Sequence, residues 1–283
     1  MLLPYDDENV PVAETLRFGI RFRTDHNGWL GGDNPVKDIK RFFDDNGYFI
    51  ARRVYSPDET RTLESDFDRI VEQLVKSEEA INARWGAGDT VVFHTHQVQI
   101  YSAVWLQAIQ HPAFLDIAEA ILGPDIILHH TKLFQKPPEI GAPFPMHQDW
   151  EYFPTVHDTM IAAVIHVSDA TEEMGCFRVH PGSHKLGRLP GMMGGGQNRE
   201  MTERYPIERS TPCVVEPGDV VFFHYFTIHG STPNRSQKTR KTVLVQMHAG
   251  YDEVETGNRH VNSRLALRGW NHLAKRSLAN FAG

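Results

Sequence analysis

Cysteine is nearly missing from this 283-residue chain: only Cys176 and Cys213 occur. Two are too few for a disulfide framework or for a multi-cysteine zinc or iron–sulfur site. No run approaches the roughly 18 consecutive apolar residues that a membrane-spanning helix needs. Positive charge is in deficit, with 29 Lys and Arg against 36 Asp and Glu, a net charge of −7. A general nucleic-acid binder or a protein held on an anionic membrane would show the opposite balance. The opening residues MLLPYDDENVPV lack a basic stretch followed by a long apolar one, so no secretory signal is expected. The expectation is a protein of a reducing, cytoplasmic setting. Histidine, by contrast, is plentiful: 16 residues, many in the second half.

The length suits one large β domain or two smaller ones. No internal repeat and no linker is visible, so residues 1–283 are read as one domain with 1–34 as a peripheral extension. Within that extension Leu16, Phe18, Ile20 and Phe22 alternate with Arg17, Arg21 and Arg23, a strand pattern. Ser56-Pro57-Asp58-Glu59 reads as a helix start with a capping box. Leu63, Phe67, Ile70, Val71 and Leu74 then recur at helical spacing. A second helix is expected from Pro112 to a stop at Gly123. From about residue 125 the pattern becomes short strands: 126–134, 160–167, 176–180, 214–216, 220–225 and 242–248, separated by Pro- and Gly-bearing turns. Helices followed by many short strands predict a mainly β protein, an antiparallel jelly-roll-like barrel braced by N-terminal helices. Residues 187–211, with Gly191, Gly194, Gly195 and Gly196, form a long loop, either a mobile lid over a site or a plain insertion.

Three signals carry chemistry. His147 and Asp149 stand two apart, so on extended chain an imidazole and a carboxylate point the same way. Alone, His-x-Asp also fits a surface turn. His229-Gly230-Ser231 follows the apolar strand around 220–225 and offers a third ligand facing a cavity. Two histidines and one carboxylate on one face, with positions open opposite, suit the non-heme Fe(II) centre of oxygenases. Arg240 opens a further strand, and a planar guanidinium binds a carboxylate through two parallel hydrogen bonds. A solvated strand end beside Lys238 and Lys241 is the plain alternative.

The run His130-Thr131-Lys132-Leu133-Phe134-Gln135-Lys136-Pro137-Pro138, followed by His147-Gln148-Asp149-Trp150-Glu151-Tyr152-Phe153-Pro154, resembles the phytanoyl-CoA dioxygenase family. So do Gly175-Cys176, Pro181-Gly182-Ser183-His184-Lys185, Pro217-Gly218-Asp219 and His229-Gly230-Ser231, in the family's order over about residues 35–250. The resemblance implies a double-stranded β-helix, cupin-like core that uses Fe(II), 2-oxoglutarate and O₂ on a small-molecule substrate. It implies His147, Asp149 and His229 as iron ligands and Arg240 with Ser231 as the anchor for the far carboxylate of 2-oxoglutarate. Lys132, and with a gap in the alignment Gln97, match positions lining the 2-oxoglutarate site. Related halogenases carry a small residue where Asp149 stands, so hydroxylation is implied, with release of succinate and CO₂. Desaturation, ring formation or epoxidation are the alternative outcomes with the same cofactors. A metal-binding cupin-like protein without turnover is the alternative of another class.

The remaining candidates are open between site and scaffold. His94 and His96 form a His-x-His pair that reads as a metal pair or as hydrogen-bonded structural histidines. His129 and His130 are adjacent on a strand and expected on opposite faces, with His130 on the side of Lys132. Trp150, Tyr152 and Phe153 wall a substrate pocket or belong to the core, Tyr152 being the better pocket candidate.

Overall fold

The computed structural model describes residues 35–77, 82–83, 92–139, 141–190, 203–258 and 260–275. The strand expected over residues 16–23 lies outside them. The chain runs α1 (Pro35–Asn46), β1 (Tyr48–Ala51), α2 (Pro57–Lys76), β2 (Asn82–Ala83), β3 (Val92–His96), α3 (Ala103–Ala108) and α4 (Pro112–Leu122). It continues through β4 (Ile126–Lys136), β5 (Phe144–His147), β6 (Ile161–His166), β7 (Phe177–Val179) and β8 (Thr211–Cys213). The last strands are β9 (Val220–His224), β10 (His229–Ser231), β11 (Arg240–Ala249) and β12 (Leu265–Arg268).

Both expected helices start where their sequences suggest, and α4 also stops there. Ser56 caps α2 with a complete capping box: Glu59 N donates to Ser56 Oγ, and Ser56 N donates to Glu59 Oε2 at 2.7 Å. Helix α4 begins at Pro112 and ends before Gly123, whose φ of +97° favours glycine.

The strands form two antiparallel sheets. The larger has the order β1-β9-β6-β11-β4-β3-β2, with β12 also on β4; the smaller has the order β5-β10-β7-β8. This is the expected jelly-roll. Side-chain alternation decides what each face meets. Val243, Val245 and Met247 of β11, with Ile161, Ala163 and Ile165 of β6, pack on Leu63, Phe67, Ile70, Phe114 and Ile117 of the helices. Burying each of these side chains apart from Ala163 contributes about 1.5–3 kcal/mol. Thr242, Leu244 and Gln246, in the opposite phase, face the cavity between the sheets with Arg240.

Three expectations change. The strand foreseen at 214–216 forms at Thr211–Cys213, because its short partner β7 ends the ladder at the Phe177–Cys213 pair. Beyond it Val215 keeps one isolated bridge to Ala170. In β4, Gln246 pairs with His130 and Met247 with Leu128, so His129 is the extra residue of a β-bulge. The bulge breaks the alternation, and the His129 and His130 rings meet, Nδ1 to Nδ1 at 2.7 Å, instead of taking opposite faces. Of the segment 187–211, residues 191–202 lie outside the description, while Ile207–Arg209 make a short helical turn and Thr211 opens β8. No described helix is long and apolar enough to cross a membrane.

Candidate active site

Strands β5 and β10 are neighbours in the small sheet, and their register pairs His147 with His229 directly. The close approach explains Gly230: a Cβ there would stand 2.6 Å from the Phe144 carbonyl oxygen. His147 ends β5 and Asp149 follows on a chain that is no longer extended, with φ −85° and ψ −19° at the start of the short helix Trp150–Tyr152. The turn is pinned by Asp149 N donating to the Tyr225 carbonyl at 2.9 Å. The side chains still converge: Asp149 Oδ1 lies 3.3 Å from His147 Nε2 and 3.6 Å from His229 Nε2. Among the described residues these three are the group whose donor atoms, all within 4.8 Å of one another, can hold a metal ion. His94 and His96, ring centroids 5.7 Å apart, do not form a second one.

The donor set fits Fe(II). His147 Nδ1 donates to the Pro145 carbonyl at 2.8 Å and His229 Nδ1 to the Thr227 carbonyl at 2.9 Å. A carbonyl only accepts, so each ring carries its proton on Nδ1 and turns a bare Nε2 towards Asp149. Gln246 Nε2 donates to Asp149 Oδ2 at 2.9 Å, which leaves Oδ1 for the metal. Burial works against the Asp149 carboxylate, but His229 and His147 outweigh it and hold it down at about 2. Burial and the neighbouring His147 push His229 down to about 4. For His147, burial is outweighed by Asp149, whose carboxylate would pair with and accept from a protonated Nε2, and its value rises.

The three groups open on a cavity of about 420 Å³. At one end stands Arg240, whose Nη1 donates to the Gly175 carbonyl and whose buried Nε has no partner among the described residues. Burial lowers this guanidinium to about 10. Ser231 lies beside it. Its Oγ accepts from the Lys136 ammonium at 2.7 Å, and the same Nζ donates to the Thr232 carbonyl at 2.8 Å. Lys136 is 1% exposed. Burial, then the charge of Arg240, drives its ammonium well below the usual lysine range. Lys136 was hidden in the sequence by the Lys-Pro-Pro turn signal, although it shares strand parity with Lys132 and Phe134.

Lys132, His130 and Tyr152 line the cavity; Gln97 and Trp150 do not. Gln97 sits in a left-handed turn and donates to the Val261 carbonyl at 3.1 Å, away from the site. The Trp150 indole donates to the Leu189 carbonyl at 3.1 Å and packs under Arg188, so it anchors the segment after Gly187. Gln148, fully buried between the two ligands, donates to the Gly187 and Phe226 carbonyls and accepts from Leu189 N.

The sequence profile of the Phytanoyl-CoA dioxygenase (PhyH) family matches residues 43–242. The chain belongs to this family. A probable phytanoyl-CoA dioxygenase of Caenorhabditis elegans is 30% identical over 228 residues, 72% of either chain. The peroxisomal phytanoyl-CoA dioxygenase of Mus musculus is 28% identical over 231 residues, 75% of this chain and 68% of the relative. In structure, the non-heme alpha-ketoglutarate-dependent epimerase SnoN from nogalamycin biosynthesis superposes with a TM-score of 0.67 at 21% identity, over 78% of this chain and 86% of the other. As a PhyH member this chain is an oxygenase dependent on Fe(II) and 2-oxoglutarate.

Proposed function

We propose that the chain hydroxylates a C–H bond of a small molecule, with His147, Asp149 and His229 holding Fe(II). Arg240, Ser231 and Lys136 hold the far carboxylate of 2-oxoglutarate. The observation that carries this reading is the shared cavity: two bare Nε2 atoms and one carboxylate oxygen converge in its wall, and Arg240 stands at its end. Bound iron with 2-oxoglutarate and O₂ supplies the oxidising power, releasing succinate and CO₂; the protein supplies position and dryness.

Each residue's part follows from its contacts. Pro145 and Thr227 fix the two imidazole tautomers, and Gln246 fixes the carboxylate. Because the Lys136 ammonium donates to Ser231 Oγ, that oxygen accepts there and keeps its own proton for an incoming carboxylate. Arg240 adds the two-pronged charged contact. Asp149 fills the position that a halide would need, which favours hydroxylation. Tyr152, Phe153 and His130 line the same cavity and face the substrate. Gly187 and Leu189 are fixed to the iron-binding loop through Gln148 and Trp150. Two free, buried thiols suit a reducing, cytoplasmic compartment.

The test is aerobic incubation with Fe(II), 2-oxoglutarate and a panel of small molecules, reading succinate and the mass of the product. A product 16 mass units heavier, roughly one succinate per turnover, is expected for hydroxylation. A product two units lighter at the same stoichiometry would replace hydroxylation by desaturation or ring closure, and succinate-free samples throughout the panel would contradict the reading.

A further inference from the structure

The cavity has a second pole, formed where β3 lies on β4. His96 and Lys132 are register partners there, and His94 pairs with Phe134. The His96, His130 and His260 rings stack on one another, with centroids 5.9, 4.8 and 5.0 Å apart and planes within 28°. His94, His96, His260 and Lys132 all line the cavity. Burial, then the Lys132 charge, keeps His94 at about 4, His96 at about 3 and His260 at about 4, so each ring is neutral near pH 7 and offers one N–H. Among the described residues no hydrogen bond takes up the His96 or His260 side chain.

The charge balance singles out Lys132. Among the described residues the charged ones of the lining are Lys132, Arg240 and Asp149. Fe(II) on Asp149 leaves one positive charge, and the 2-oxoglutarate dianion cancels that charge together with Arg240. Lys132 is left over, its ammonium lying 5.2 Å over the Phe134 ring. Asp149, a metal ligand, is the carboxylate whose charge acts on Lys132. Among the described residues this half-buried ammonium has no salt bridge, and an incoming anion offsets the cost of its desolvation.

We propose that this pole is the subsite for an oxyanion of the substrate, a carboxylate or a phosphonate. It is received by the Lys132 ammonium and by imidazole N–H groups of His94, His96 and His260. The inference rests on the Fe(II)/2-oxoglutarate reading, because 2-oxoglutarate is what discharges Arg240. It moves Lys132 from the co-substrate, where the family resemblance puts it, to the substrate.

The test uses the full chain loaded with Fe(II) and saturating 2-oxoglutarate without oxygen, followed by the iron-to-ligand charge-transfer band. Butyrate, methylphosphonate and neutral n-butanol are titrated in. Either anion should shift the band saturably while butanol does not, and the tighter anion identifies the oxyanion. Lys132→Met should weaken that anion about tenfold or more. His96→Phe and His260→Phe keep a flat ring and lose the N–H, and should weaken it about threefold or more. The affinity of 2-oxoglutarate should stay within about twofold in all three, with circular dichroism unchanged. Silence of both anions, an equal response to butanol, or loss of the band through displacement of 2-oxoglutarate would overturn the proposal. So would a Lys132→Met protein that binds 2-oxoglutarate weakly and the anion normally. If 2-oxoglutarate raises no band in the wild type, the iron reading itself fails instead.

Discussion

His147 and His229 face each other across the β5–β10 ladder, ring centroids 4.3 Å apart, and each gives its Nδ1 proton to the carbonyl two residues before it. The strands themselves thus set both tautomers, and the site is prepared before a metal arrives. Only the Asp149 arm depends on a distant side chain, Gln246 of β11.

Replacing any one of His147, Asp149 or His229 by Ala should abolish stoichiometric iron binding while circular dichroism stays native. Gln246→Leu, which leaves the ligands but frees Asp149 Oδ2, should weaken iron about 10- to 100-fold. Iron stoichiometry after gel filtration checks the first, and a competition titration with a chelator checks the second. Full iron occupancy in an alanine variant would remove that residue from the site.

At the far end of the cavity, a charged bidentate contact is typically worth about 1.5–3 kcal/mol, or roughly 10- to 150-fold in affinity. Arg240→Leu should weaken 2-oxoglutarate by about that much or more, and Arg240→Lys less, since charge survives and the fork does not. Lys136→Met should weaken it by about tenfold, because Ser231 is then free to turn its proton elsewhere. Anaerobic titration of 2-oxoglutarate into the iron-loaded variants reads all three.

Lys241 is the matching control. It lies one residue along β11 on the opposite face, and its ammonium pairs with Glu64 at 3.0 Å and Asp68 at 2.8 Å on α2. Lys241→Leu should leave 2-oxoglutarate binding unchanged and cost at most about 1 kcal/mol of stability, since both carboxylates are well exposed. A drop in 2-oxoglutarate affinity would put the strand register out by one.

Acid should loosen the loop before β6. Asp252, fully buried, accepts from His157 N at 2.8 Å, Thr159 N at 3.0 Å and Thr159 Oγ1 at 2.7 Å. Burial opposes its charge, but these bonds outweigh burial and lower its value. A carboxylate depressed in the folded state adds stability above its unfolded value of about 3.9, and that stability is lost as pH falls through the folded value. Asp252→Asn should therefore cost about 1–3 kcal/mol at pH 7 and progressively less below about pH 4. Urea unfolding of both proteins at pH 7 and below pH 4 measures the difference, and a constant gap would contradict the assignment.

The helix-backed sheet was legible because its strands are long and one face packs on helices, so β4, β6, β9 and β11 show as apolar runs. The strands that carry the ligands were not. β5 holds four residues including Pro145, β10 holds three around Gly230, and neither has room to show a period. The ligands themselves were readable through family motifs, which preserve residue type without revealing backbone shape. Hence the convergence of His147 and Asp149 was foreseen, although the extended chain expected to produce it is replaced by a turn into the short helix Trp150–Tyr152. The His129 bulge and the inward Lys136 were missed for one reason: each depends on strand pairing, which local pattern does not record. Gln97 and Trp150 match or adjoin motifs, yet a left-handed turn and a hydrogen bond to Leu189 take their side chains elsewhere.

The most direct test is consumption of 2-oxoglutarate with matching release of succinate by the purified chain, with and without Fe(II), for the wild type and for His147→Ala, Asp149→Ala and His229→Ala. Iron-dependent succinate in the wild type and none in the three folded variants is the predicted result. Succinate formed without iron, or at wild-type rate by any one variant, would contradict an iron centre built on these residues.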